Sequence, residues 1–273
     1  MPIEKLGKND VALLGIMSDE NSSFLRGAAA APPYIREALH SGSANLCSEL
    51  GVDLAENPRF VDVGDRKIAH GSEGFLSIEA EVSQLLSKGA LPLVLGGDHA
   101  ISYPVLRAVN RFHGPVNILH FDAHPDLYDE FEGNPYSHAS PFARIMENGL
   151  AHRLVQVGIR TLNPELRDQA ERLGVESHEM KNTECSSINV DFDGPVYISC
   201  DIDALDPAFA PGVSHQEPGG LSTREILAVI QRLSGRVIGA DIVEFNPSRD
   251  INSMTAMVAA KILKEIAGKM LIS

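Results

Sequence analysis

A chain of 273 residues, 44% hydrophobic and 22% charged, has enough apolar material for a large buried core and reads as a globular protein of ordinary composition. Its formal net charge of -14 excludes a binder of nucleic acid or of an anionic membrane, either of which needs a basic face, and suits a small cationic partner. Three scattered cysteines without a Cys-x-x-Cys spacing exclude a disulfide framework and a zinc ribbon and point to a reducing compartment.

The opening "MPIEKLGKND" lacks a basic flank followed by an apolar stretch, and no segment is as long as a membrane span, so the expectation is a cytoplasmic protein. From there short apolar runs alternate with amphipathic ones. Strands are predicted at Val11 to Ile16, Phe60 to Val63, Pro92 to Leu95, Val116 to Phe121, Leu154 to Ile159, Pro195 to Ser199 and Arg236 to Ala240. Between and after them the helical pattern covers Pro32 to Ser41, Phe75 to Lys88, Ile101 to Phe112, Ser140 to Asn148, Pro164 to Leu173, Thr223 to Leu233 and Met254 to Ile266. This alternation is the signature of an α/β fold with a mainly parallel sheet and helices on both faces. No linker or internal repeat divides it, so one domain is expected over residues 1–273.

Polar residues fall at particular places along these strands. "LPLVL" leads into "GGDH", with His99; "PVNIL" into "HFDAHPDLYD", with Asp122, His124 and Asp126; "PVYISC" into Asp201 and Asp203; and "RVIGA" into Asp241 and Glu244. Side chains two apart in an extended segment share a side. Ligands bind beyond the carboxyl ends of strands in such sheets, so the four clusters can share one cleft. Taken singly, Asp98-His99 fits a helix cap beside a core histidine, and "DIDALDP" fits a polar turn. Together, four carboxylates (Asp122, Asp126, Asp201, Asp203) and two imidazoles (His99, His124) would repel and protonate without a cation among them. Hard oxygen and imidazole donors without thiolate suit Mn²⁺, with Ni²⁺, Co²⁺, Fe²⁺ or Zn²⁺ following by affinity order. Six ligands suit two ions sharing carboxylates better than one, and such a pair holds and activates a water. His120 lies one step deeper in its strand and reads as support or packing; Cys200 reads as core.

These motifs resemble the ureohydrolase family of arginases, agmatinases and other guanidino-group hydrolases. "GGDH", "DAHPD", "SCDIDALDPAFAPG" and "DIVEFNP" occur in the family's order, and "NSSFLRG", "GNPYSHASPFARIMENG", "HQEPGGLS" and "MTAMVAAKI" read like its plant-type arginase branch over nearly the whole chain. The resemblance implies the arginase-like single-domain three-layer α/β/α fold and two Mn²⁺ per subunit. One ion would be held by His99, Asp122, Asp126 and Asp201, the other by Asp122, His124, Asp201 and Asp203. It implies that Glu244 accepts hydrogen bonds from the substrate guanidinium, that His138 and Asp126 carry protons, and that the protein assembles as a trimer or hexamer.

The substrate's far end is read from the rim. The loop from Asp129 to Ser137 offers Asn134 and Ser137 as donors to an α-carboxylate, and "GIRTLNPE" places Asn163 where animal-type arginases use an acid for the α-ammonium. L-Arginine is the expected substrate, giving L-ornithine and urea, with agmatine or another guanidino acid as the alternative. Two other classes stand beside it: a metal-binding partner subunit without turnover of its own, and a one-zinc deacetylase-like hydrolase, against which the six-ligand set speaks.

Overall fold

The computed structural model describes residues 3–69 and 71–272. Eight parallel strands form one sheet: β1 (Val11–Met17), β2 (Phe60–Lys67), β3 (Leu91–Leu95), β4 (Val116–Phe121), β5 (Ala151–Ile159), β6 (Glu176–Glu179), β7 (Asp191–Asp201) and β8 (Ser234–Val243). Their order across the sheet is β2-β1-β3-β8-β7-β4-β5-β6. Every residue of β3 and of β4 is buried, because a parallel strand inside such a sheet is covered on both faces and its sequence is therefore mostly apolar; the polar exceptions in β4, Asn117 and His120, are hydrogen-bonded.

The covering layers are α1 (Ala31–Leu39), α2 (Ser72–Ser87), α3 (Ser102–His113), α4 (Pro141–Glu147), α5 (Pro164–Leu173), α6 (Thr223–Arg232) and α7 (Met254–Ile272). Helix α7 touches α1 and α6, while α2, α3, α4 and α5 touch in succession, which gives the α/β/α sandwich. Helix starts follow their chemistry. Ser222 and Glu225 form a reciprocal capping box on α6, and Asn163 Oδ1 accepts the Leu166 N–H at 2.8 Å on α5, each satisfying an amide that the first turn leaves without a carbonyl.

The seven predicted strands and seven predicted helices are present, and differ from the prediction mainly at their ends; β2, for example, runs on to Lys67. Strand β6, "ESHE", is an edge strand with no buried residue, so it carries no apolar alternation for a sequence reading to find. Strands β5, β7 and β8 begin three, four and two residues earlier than their apolar runs, in polar or exposed positions paired to neighbours. Helix α7 continues to Ile272, past the predicted Ile266, burying Ala267, Met270 and Leu271. Among the described residues no helix is long and apolar enough to cross a membrane.

Candidate metal centre

The strand order explains why distant motifs meet. Strands β3, β8, β7 and β4 are consecutive neighbours, so their carboxyl ends carry His99, Glu244, Asp201 with Asp203, and Asp122 with Asp126 along one side of the sheet. The glycines of "GGDH" make the first of these turns possible. A Cβ on Gly97 would lie 1.7 Å from the Ser18 carbonyl oxygen at the end of β1. Instead Asp98 N–H donates to Ser18 O at 3.0 Å, and Glu244 N–H donates to Gly97 O at 2.8 Å, which ties β3 to both of its neighbours.

His99 Nδ1 lies 3.0 Å from Asp122 Oδ2, 3.2 Å from Asp126 Oδ2 and 3.3 Å from Asp201 Oδ2, yet it is a buried nitrogen in hydrogen-bond geometry with none of them. Nε2 lies 2.9 Å from Ser199 Oγ, and that hydroxyl donates to Asp241 Oδ1 at 2.6 Å, so Nε2 carries a proton and Nδ1 is the nitrogen left to offer a lone pair to a cation. A lone pair facing three carboxylate oxygens is a donor set for a cation. Beside it, His124 Nδ1 lies 3.3 Å from Asp122 Oδ1 and 3.1 Å from Asp203 Oδ2, forming a second group with Asp122 in common. Burial, then the charges of Asp203 and Asp122, push the Asp201 carboxyl well above the usual carboxylate range, and burial with the charge of Asp122 raises Asp126. Two divalent cations would relieve this crowding, and the oxygen-rich, thiolate-free set fits them.

A hydrogen-bonded layer holds the ligand candidates from below. Asp241, fully buried, accepts the hydroxyls of Ser102 and Tyr197 as well as Ser199. His120 accepts from Gln156 Nε2 at Nδ1, 3.1 Å away, so its Nε2–H donates to Asp122 Oδ2 at 2.9 Å. Both ring nitrogens of His120 are thus engaged, and it orients Asp122. Cys200 is fully buried in the core.

Glu244 and Asp126 have left-handed backbones, with φ of 62° and 52°. Non-glycine residues adopt this conformation at a cost, and it gathers at functional positions. Glu244 Oε1 accepts the His99 backbone N–H at 2.9 Å and bonds His138 Nδ1 at 2.8 Å. Burial disfavours the His138 cation, but the Glu244 carboxylate, in charge and in hydrogen bonding, outweighs it and raises that imidazole to about 9. Ser23 Oγ lies 2.8 Å from His138 Nε2, and the Ser23 backbone N–H donates to the same nitrogen at 3.2 Å, so in this arrangement the ring accepts at Nε2 and donates from Nδ1 to Glu244.

These groups open into a cavity of about 210 Å³ lined by His124, Asp126, His138, Asp201, Asp203 and Glu244 among others. His99 and Asp122 lie beneath it. Asn134, Ser137 and Asn163 are not on its wall. Asn134 Nδ2 donates to Asn21 Oδ1 at 3.1 Å beside a separate cavity, Ser137 is buried, and Asn163 caps α5 while its amide donates to Tyr128 OH at 2.7 Å. The wall instead presents Ser23, Tyr128, Phe131, Thr161, Leu166 and His215. His215 stands between His138 and His124, its ring centre 5.3 and 5.6 Å from theirs, with Phe24 at 5.5 Å on the outer side. Ser23, Phe24 and His215 belong to "NSSFLRG" and "HQEPGGLS", but isolated aromatic and hydroxyl residues in loops carry no spacing that marks them as cavity wall.

A sequence model of the Arginase family matches residues 9–268. The chain is 52% identical to "Arginase 1, mitochondrial" of Arabidopsis thaliana, over 96% of this chain and 81% of that protein. It is 50% identical, with the same shares covered, to "Arginase 2, chloroplastic/mitochondrial" of that plant. An arginase structure from Medicago truncatula superimposes with a TM-score of 0.90 at 47% identity, covering 95% of this chain and 87% of that one. The relatives' names correct one expectation: they carry mitochondrial and chloroplastic designations and point to an organelle rather than the cytoplasm. With its parallel sheet, its acidic and imidazole cluster, and these likenesses along nearly its whole length, the chain belongs to the arginase family.

Proposed function

We propose that this arginase-family hydrolase cleaves the guanidino group of L-arginine to L-ornithine and urea at a centre of two Mn²⁺ ions. The observation that carries it is the convergence of the His99 lone pair with three buried carboxylate oxygens, directly beside the cavity that Glu244 lines; relatives named arginases at about half identity support the substrate. His99, Asp122, Asp126 and Asp201 would hold one ion, and Asp122, His124, Asp201 and Asp203 the other. When bound, such a pair supplies an activated water and neutralises developing charge.

The remaining steps belong to side chains. Glu244 uses Oε1 for its internal partners, while its Oε2, which has no hydrogen bond among the described residues, meets the guanidinium, a planar cation matched to a carboxylate. That contact fixes the carbon in line for attack, which matters because three nitrogens share the charge and make it a poor electrophile. His138 delivers a proton to the leaving amine and recovers it through Ser23 Oγ, with Asp126 as the partner carrier. Tyr128 OH accepts from Asn163, so its own proton is directed elsewhere and it is a donor for the α-carboxylate; Asn163 thus acts through Tyr128.

One observation favours agmatine as a second reading: no lysine or arginine lines the cavity, and a substrate without a carboxylate needs none. We propose further that residues 1–273 fold as one domain, supported by the single sheet and continuous core, and that subunits assemble as trimers or hexamers, for which exposed Leu76 and Ile251 offer apolar contact surface. Titration with Mn²⁺ tests the centre: two equivalents should bind the wild type, and Asp122→Ala, lacking the shared ligand, should lose both and release no urea. Urea release by Asp122→Ala would refute the two-ion centre.

A further inference from the structure

We propose that Arg160 is the positioning residue of the second ion's half of the centre, fastening Asp203, the Asp122–His124 turn and the His215 loop to one another. This rests on the two-ion reading above. The motif "GIRTLNPE" follows β5, and the guanidinium of its arginine meets backbone carbonyls rather than an acid. Nε donates to Glu217 O at 2.8 Å; Nη1 to Gly158 O at 3.1 Å and Ala204 O at 3.2 Å; Nη2 to Glu217 O at 2.6 Å, Asp203 O at 2.8 Å and Leu205 O at 3.3 Å. Five N–H groups in a rigid fork are thereby spent on three chain segments: the end of β5, the turn that carries Asp203, and the loop that carries His215.

The backbone of the same residue holds a fourth segment. Arg160 N–H donates to Ala123 O at 2.9 Å, and Ala123 stands between Asp122 and His124. Ala123 N–H in turn donates to Asp203 Oδ1 at 3.1 Å. Asp122, His124 and Asp203 are one of the two groups able to hold a cation, so Arg160 reaches the segments on both sides of that group. Apart from the shared Asp122 and Asp201, the other half is held without it. His99 is fixed by Ser199 and Glu244, and Asp126 O accepts the N–H groups of Phe142 and Ala143 at the start of α4.

The second glycine of "HQEPGGLS" is explained by the same junction. A Cβ on Gly220 would stand 2.6 Å from Asp206 N, and 2.8 Å from both Ala204 O and Arg160 Nη2. The loop is stripped to hydrogen at the point where the guanidinium passes, and the close approach places Glu217 O, two residues beyond His215, within reach of it. The asymmetry is the useful consequence: loosening Arg160 should free one ion and not its neighbour.

Stepwise Mn²⁺ titration of the metal-free protein by calorimetry, with the electron paramagnetic resonance signal of the coupled pair, reads this directly. Outer partners of metal ligands are commonly worth ten- to a hundredfold in affinity. Arg160→Gln should therefore bind one equivalent with wild-type affinity and the second about ten- to a hundredfold more weakly, with urea release recovered at high Mn²⁺. Arg160→Lys, which keeps the charge but not the fork, should fall between. Should Arg160→Gln fail to fold, Gly220→Ala perturbs the same junction with the guanidinium retained and should show the same selective weakening. Two equivalents bound at wild-type affinity in Arg160→Gln, or an equal loss of both, would overturn the proposal. A wild type that binds a single equivalent would instead overturn the two-ion reading beneath it.

Discussion

Glu244 is held by its own strained backbone, φ 62°, and by the two hydrogen bonds to Oε1, so its carboxylate is fixed before substrate arrives. Glu244→Gln keeps the shape and the Oε1 acceptor but removes the charge. It should lower kcat/KM by about ten- to a hundredfold, the worth of a charge-assisted hydrogen bond, while Mn²⁺ stoichiometry stays at two; an equal loss of metal would make Glu244 a support of the ions. The His138–Glu244 pair has a pH signature in the metal-free protein. The imidazole is raised from 6.5 to about 9 on folding, so the folded state holds the proton more tightly. The pair's contribution is then fully present below about pH 6.5 and lost as pH rises through about 9. Urea denaturation midpoints of metal-free wild type should fall between pH 6.5 and 9.5 by more than those of His138→Asn, and parallel curves would remove the pair from that role. The acids and imidazoles of the centre were legible because strand periodicity puts alternate residues on one side. Ser23, His215 and Arg160 were not: each is a single residue in a loop whose meaning comes from segments far away in sequence.

At the scale of elements, the turns after strands decide where the chemistry falls. Gly97→Ala would drive a Cβ against the Ser18 carbonyl, and since backbone cannot yield as a side chain does, it should cost at least about 1–3 kcal/mol and weaken Mn²⁺ binding through the displaced His99. Ser222→Ala removes the capping box of α6 and should cost about 1 kcal/mol with Mn²⁺ affinity unchanged. Chemical denaturation with parallel metal titration separates the two, and similar metal binding in both variants would deny the turn its role. The elements buried on both faces were legible as apolar runs with turn residues at their ends. Strand β6 and the polar beginnings of β7 and β8 were not, because an edge or an end pairs through backbone atoms that leave no pattern in side chains. The rim geometry was not legible for a related reason: the loop from Asp129 to Ser137 folds back on itself through Phe131 and Asn134, and Asn134 bonds Asn21 beside a separate cavity.

At the scale of the molecule, a net charge of -14 and a buried acidic cluster suit the proposed cations, metal ions in the cluster and a guanidinium at its mouth. Ligands that bind only the folded state add stability by mass action, about 2.7 kcal/mol at a hundred times Kd. Chelation should therefore lower the melting temperature and added Mn²⁺ should restore it, whereas a chelator without effect on melting would mean the cluster folds around no metal. The sheet brings the four clusters together because β3, β8, β7 and β4 are adjacent, an order that no local pattern in the sequence encodes; the sequence pointed only to a shared cleft at the carboxyl ends of the strands. Urea release by the purified Mn²⁺-loaded chain, offered L-arginine and agmatine side by side, tests the central claim most directly. Turnover of L-arginine with clear preference over agmatine is the predicted result; no urea from either substrate with two ions bound would contradict it.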